Sequence, residues 1–92
     1  MIIQHSDTGT QGAFYIETDG ERLAELTYRW EEKNMVILHT EVSERLKGMG
    51  AGKQLVSAAA DFAREQSAHI IPLCPFAKSV LEKMPEYASL LA

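Results

Sequence analysis

Lys47-Gly48-Met49-Gly50-Ala51-Gly52 stands between the run Met35–Val42, apolar at first and polar at its end, and an Ala-rich stretch that opens at Lys53. The run reads as a strand, the Ala-rich stretch as a helix, and the six residues as the turn that joins them. Glycines at 48, 50 and 52 carry no Cβ to hold the backbone off a ligand, so successive N–H groups can point at one anion where the helix begins. The positive end of the helix dipole, roughly half an elementary charge, falls at the same place. Lys47 and Lys53 flank the turn and Arg45 precedes it, although the formal net charge of the chain is -4. Local positive charge within an acidic chain suits a pyrophosphate.

Two familiar phosphate loops do not fit the spacing. A Walker A loop needs a Gly five residues before the Gly of its Gly-Lys pair, and then Ser or Thr. Around Gly52-Lys53 those positions hold Lys47 and Gln54. A dinucleotide fingerprint, Gly-x-Gly-x-x-Gly, would need glycine where Lys53 or Leu55 stands.

Upstream of the turn, Ala13–Glu17 alternates Phe14 and Ile16 against Tyr15 and Glu17, and Asp19-Gly20 marks a hairpin. Leu23–Trp30 then puts Ala24, Leu26, Tyr28 and Trp30 on one face and Leu23, Glu25, Thr27 and Arg29 on the other. Glu31–Asn34 is a polar turn before Met35–Val42, so the spacing predicts three antiparallel strands in a meander. Downstream, Leu55, Val56, Ala59, Phe62 and Ala63 recur at helical spacing, predicting a helix from Lys53 to about Gln66 with one side on the sheet. Ile70–Leu73 reads as a buried strand reached through that helix, hence parallel to the third strand with a right-handed crossover. Pro75 opens a second helix to about Met84, and Glu86–Ala92 adds a last turn. The expected fold class is α+β, in the order β-β-β-α-β-α, with a mixed, mainly antiparallel sheet and two helices.

A chain of 92 residues buries only about 60–65% of its extended surface, leaving room for one core and one site, so 1–92 reads as a single domain. Hydrophobic residues at 46% and charged residues at 24% argue against disorder. No apolar run approaches the roughly 20 residues of a membrane span, and no basic region followed by an apolar one opens the chain. The expectation is therefore no membrane partner and a cytoplasmic location. A single Cys cannot close an internal disulfide and the three scattered His do not make a metal spacing, so no metal is expected. A pI near 5.3 argues against a nucleic-acid partner. The expected state is a monomer or weak dimer.

Lys47-x-x-Gly50-x-Gly52 resembles the Arg/Gln-x-x-Gly-x-Gly/Ala pattern that binds the pyrophosphate of coenzyme A in the GNAT superfamily of N-acetyltransferases, with Lys in the first position. Arg45-x-x-Gly48-x-Gly50 matches in an alternative register, but the first register sets its last Gly directly before Lys53, where the helical pattern starts. Three further stretches, His39-Thr40-Glu41-Val42, Pro72-Leu73-Cys74-Pro75-Phe76 and Pro85-Glu86-Tyr87, resemble a subfamily of short, single-domain GNAT-like proteins. The likeness covers most of the chain from residue 35 onward. It implies a minimal GNAT-like fold lacking the N-terminal helices and C-terminal strands of full-size members. It also implies acetyl-CoA (coenzyme A) lying between the third strand and Ile70–Leu73. The residues implied to hold it are Val42, Arg45, Lys47, Gly48, Met49, Gly50, Ala51, Gly52 and Lys53 on one side and Cys74, Pro75 and Phe76 on the other.

Cys74 closes the buried strand and precedes Pro75, so it stands at or near the N-cap of the second helix. A helix start lowers a thiol pKa and favours the nucleophilic thiolate, whereas a lone buried Cys is also commonly an inert small hydrophobe. The resemblance sets this position beside the acyl end of the bound coenzyme, which would allow an acetyl-cysteine intermediate or a disulfide with the coenzyme. His39 and Glu41 project from one strand face if alternation holds, and either could be a general base, while His39 could equally be a hydrogen-bonded edge of the core. The resemblance further implies an acid on the second helix, where this chain has Val80 and Met84, neither able to transfer a proton. Tyr87 lies further along. The leading reading is an acetyl-CoA-dependent N-acetyltransferase acting on an unknown amine, with Cys74, Glu41 and His39 as catalytic candidates. The alternatives are an acetyl-CoA-binding module or sensor without efficient transfer, and an interaction protein that keeps only the fold.

Overall fold

In the computed structural model, which describes residues 1–92, five strands form one sheet in sequence order. They are β1 (Gln4–Asp7), β2 (Gln11–Thr18), β3 (Glu21–Glu31), β4 (Asn34–Val42) and β5 (His69–Pro72). The first three pairings are antiparallel and β4 pairs with β5 in parallel, through the crossover helix α1 (Ala51–Glu65). Helices α2 (Pro75–Lys83) and α3 (Pro85–Ala88) follow. The α+β class and the order from β2 to α2 are those expected. β1 is an additional strand, absent from the sequence reading. The β2–β3 hairpin turns on Asp19 and Gly20, both at positive φ (51° and 78°), the conformation a tight two-residue hairpin requires.

Cross-strand partners project to the same face, so the register assigns every strand residue to a side. Phe14 opposes Leu26, Ile16 opposes Ala24, and Tyr28 opposes Ile37, all buried beneath α1. The helix covers them with Leu55, Val56, Ala59, Ala60 and Ala63, each fully buried. Alanines on this stripe let the helix axis approach the sheet closely. α2 adds Ala77 and Leu81 to the same core and packs beside α1, so both helices share one layer. The opposite face carries Tyr15, Glu25, Thr27 and Arg29 and no helix.

One irregularity matters for the site. Thr27 pairs with His39 while Tyr28 pairs with Ile37, so Leu38 is an extra, unpaired residue on β4. Such a bulge shifts the alternation by one. Before it, Met35 and Ile37 face the helices. After it, Thr40 and Val42 do, opposite Leu26 and Ala24, and His39 and Glu41 are turned to the open face.

β1 contains no apolar residue, which is why alternation gave no sign of it; it is held by polar side chains that reach over β2. The Asp7 carboxylate accepts the Tyr28 hydroxyl at 2.7 Å, the Trp30 indole N–H at 2.9 Å and the Gly9 N–H at 2.6 Å. His5 Nε2 lies 2.6 Å from the Tyr28 oxygen. Because that hydroxyl gives its one proton to Asp7, His5 Nε2 is the donor and Nδ1 is left bare. The imidazole stacks on Phe14, with ring centroids 4.0 Å apart. Burial holds His5 below the ordinary imidazole value, against the opposing Asp7 carboxylate. For Asp7 burial pushes upward, yet its bonds from Tyr28, Trp30 and Gly9 and the neighbouring His5 leave it below the usual carboxylate value.

The sign of the pH response follows. The unfolded chain takes up the His5 proton first, so stability is present above the ordinary imidazole value and is lost as pH falls toward the lower folded value. The Asp7 contribution is lost in turn below the ordinary carboxylate range. The urea midpoint should therefore drop between about pH 7 and 5, and His5→Gln, which keeps an amide donor, should remove that step. An identical pH profile in the variant would show that His5 does not carry the response.

Candidate functional site

The β4–β5 pairing ends at Ile37 and Pro72, with one more bond from the Leu73 N–H to the Ile37 carbonyl at 2.9 Å. Beyond it β4 runs on to Val42 paired only with β3 while the chain turns into α2, and a gap opens on the other side. Cys74 is the N-cap of α2, extended at φ -81° and ψ 119°, with Pro75 at the first helical position. Its buried Sγ lies 3.6 Å from Thr40 Oγ1 across the gap. Burial raises the thiol pKa, but the Ala77 N–H, the Thr40 hydroxyl and the Phe76 and Thr40 N–H groups outweigh it and leave the thiol below its ordinary value. The residue thus stands at a helix start, where the charged form of a thiol is favoured, although its side chain makes no capping bond to the first turn.

His39 and Glu41 do project from one face, with His39 Nε2 3.1 Å from Glu41 Oε1. The bulge turns that face away from the helices, so Thr40, and not His39 or Glu41, is the β4 side chain that meets Cys74. Continuous alternation along β4 assigns Thr40 to the other side, so the sequence pattern carries no sign of its place beside Cys74. Glu41 and Glu25 stand opposite each other and line a cavity of about 390 Å³ with Arg22, Val42 and Ser43, outside the β4–β5 gap.

At the glycine turn Ser43 Oγ accepts the Arg45 N–H at 3.2 Å and starts a single tight helical turn, Glu44–Leu46. Gly48 (φ 79°) and Gly50 (φ 71°) are both left-handed, and Gly50 is the N-cap of α1, with no side chain to bond the first N–H groups. The N–H groups of Gly48, Gly50, Ala51, Gly52 and Lys53 have no intramolecular partner. Lys47 and Lys53 are exposed and make no ion pair, whereas Arg45 is bound to Glu21 at 2.9 Å. The helix begins at Ala51, earlier than its apolar pattern.

The three glycines do not share one job. A Cβ at Gly48 or Gly50 would meet open space, but one at Gly52 would come within 2.9 Å of the Phe76 ring and 3.5 Å of Val42. Gly52 is therefore small so that α2 can seat Phe76 on the first turn of α1. Pro75 and Phe76 are exposed beside it, and Met49, Leu38, Val42, Leu73 and Phe76 leave apolar surface around this end of the sheet. Free N–H groups, two unpaired lysines and an apolar rim together fit a ligand with a pyrophosphate and an apolar arm.

A family model described as GCN5-related N-acetyl-transferase matches residues 13–90. No curated protein matches the chain. The solution structure of a GCN5-like protein from Staphylococcus aureus is 38% identical and superposes with a TM-score of 0.77, covering 99% of this chain and 87% of that one. A ribosomal-protein-alanine N-acetyltransferase from Brucella melitensis biovar Abortus 2308 is similar with a TM-score of 0.66 and 17% identity, over 83% of this chain and 62% of that one. The ribosomal-protein-S18-alanine N-acetyltransferase of Escherichia coli gives 0.69 and 12%, over 86% and 54%. The last two likenesses are of fold alone, and in both the chain spans less than two thirds of the other's length.

Proposed function

The chain belongs to the GCN5-related N-acetyltransferase family, and from that membership we propose that it is an acetyl-CoA-dependent N-acetyltransferase of the short, single-domain kind with the Pro72–Phe76 motif, acting on an amine of unknown structure. The observation that carries this reading is the set of unbonded N–H groups at Gly48 and Gly50–Lys53, beside the unpaired Lys47 and Lys53. They can hold a pyrophosphate, and Phe76, Val42 and Met49 can hold an apolar arm. When bound, acetyl-CoA supplies an activated acetyl thioester. Cys74 is the candidate nucleophile, its thiolate favoured by the start of α2 and by Thr40. His39 and Glu41 are the candidates for taking a proton from the amine, from the open face of the sheet.

Gly50→Asn tests the turn, because Asn tolerates a left-handed backbone and adds at the N-cap a polar side chain able to compete with a ligand for the free N–H groups. Calorimetry should show coenzyme A binding weakened about tenfold or more, roughly 1.4 kcal/mol, at unchanged thermal midpoint. Unchanged affinity would remove the turn from the site. Incubation with acetyl-CoA should add one acetyl group by intact mass in the wild type and none in Cys74→Ser. Wild-type turnover in Cys74→Ala would replace the covalent route with direct attack by the amine. The second reading, an acetyl-CoA-binding module or sensor without efficient transfer, is favoured by one observation: His39 and Glu41 stand on the other side of β4 from Cys74. Coenzyme binding with neither an adduct nor turnover on a panel of amines would select it.

A further inference from the structure

At the far end of the sheet from the glycine turn, the ends of β1, β3 and α1 surround a cavity of about 370 Å³ lined by Asp7, Trp30, Glu32, Lys33, Phe62 and Gln66. Trp30 pairs with Met35 at the start of β4 and Val42 closes that strand, seven residues on and about 23 Å away at 3.3 Å per residue. The cavity is thus separate from the coenzyme site. We propose that it binds a small organic cation of the alkylammonium or quaternary ammonium class.

Two half-buried rings form its apolar walls, Trp30 and Phe62, with centroids 6.2 Å apart and planes inclined at 53°. An indole face is the best aromatic partner for an ammonium ion. Asp7 supplies the charge. Its carboxylate is fixed by Tyr28, Trp30 and Gly9, so it needs no rearrangement to receive a ligand, and Oδ1, bonded only to Gly9, keeps acceptor capacity. The same bonds keep it ionised across the neutral range. Glu32 adds a second carboxylate. The negative end of α1 adds the carbonyls of Glu65 and Gln66, which accept no backbone bond. Lys33 on the rim pairs with neither acid, so no cation of the protein itself holds the place.

Trp30 is the only tryptophan of the chain, and its fluorescence reports the cavity directly. Tetramethylammonium and butylammonium chlorides should give a saturable change, whereas sodium chloride at equal ionic strength and neutral tert-butanol should give none. Asp7→Asn and Glu32→Gln should weaken the apparent affinity, the first by about tenfold, and Lys33→Gln should strengthen it. Glu32 is exposed and bonds to nothing in the fold, so Glu32→Gln carries the test if Asp7→Asn loses structure. Saturating coenzyme A should leave the titration unchanged. A linear response, an equal response to sodium, affinity unaltered in the folded acidic variants, or competition by coenzyme A would each overturn the assignment.

Discussion

Saturating coenzyme A is expected to raise the thermal midpoint by about 10 °C or more. A ligand that binds only the folded state adds about 2.7 kcal/mol at a hundred times its Kd, and a domain of this size shifts by about 4–8 °C per kcal/mol. The gain would come from N–H groups that the fold leaves without partners, so little structure has to be broken to accept the ligand. Acetate should produce no comparable shift, since it cannot span the turn and the apolar rim. The charge contribution is separable: Lys47→Ala and Lys53→Ala should each lessen the shift and its sensitivity to salt, because exposed cations are screened. No shift at all with acetyl-CoA would favour the reading in which only the fold has been kept.

The second large effect concerns the opposite end of the molecule. A Cβ at Gly12 would run into the Tyr28 hydroxyl and stand 2.5 Å from the Ser6 carbonyl oxygen. Gly12→Ala therefore has to push β1 off β2 or displace Tyr28 from Asp7. Overpacking of this kind costs about 2–3 kcal/mol, which should lower the midpoint by about 10–20 °C. Tyr28→Phe removes one obstacle and should recover part of the loss in the double variant, at the expense of the bonds to Asp7 and His5. Strictly additive losses would show that Tyr28 is not what the new methyl meets.

Much of this architecture was legible in the chain because burial follows period. β2 and β3 alternate, α1 repeats Leu55, Val56, Ala59 and Ala63, and each element starts or stops within a few residues of its pattern. What escaped has a physical reason in each case. Gln4, His5, Ser6 and Asp7 have no apolar member, so β1 leaves no trace that a hydrophobic period can detect. The bulge at Leu38 lies inside the uninterrupted apolar run Met35–Leu38, where the phase of alternation cannot be seen. Gly52 reads as a third member of a ligand cradle, and only the fold reveals that Phe76, twenty-four positions later, also limits its size. Cys74 was placed correctly at a helix start, but the Thr40 partner depended on the unseen bulge.

That one extra residue makes β4 a partition. The thiol of Cys74 faces the helices, and the His39–Glu41 couple faces bulk water on the other side of a single strand. Protons cannot cross the backbone between them. In the proposed function, a proton passing between them would have to go round the margin of β4 that lacks a strand partner, beside the proposed coenzyme site. Loading of the thiol and deprotonation of the incoming amine in that function would then be kinetically separable events, each with its own access to solvent, and a solvent isotope effect on one need not appear on the other.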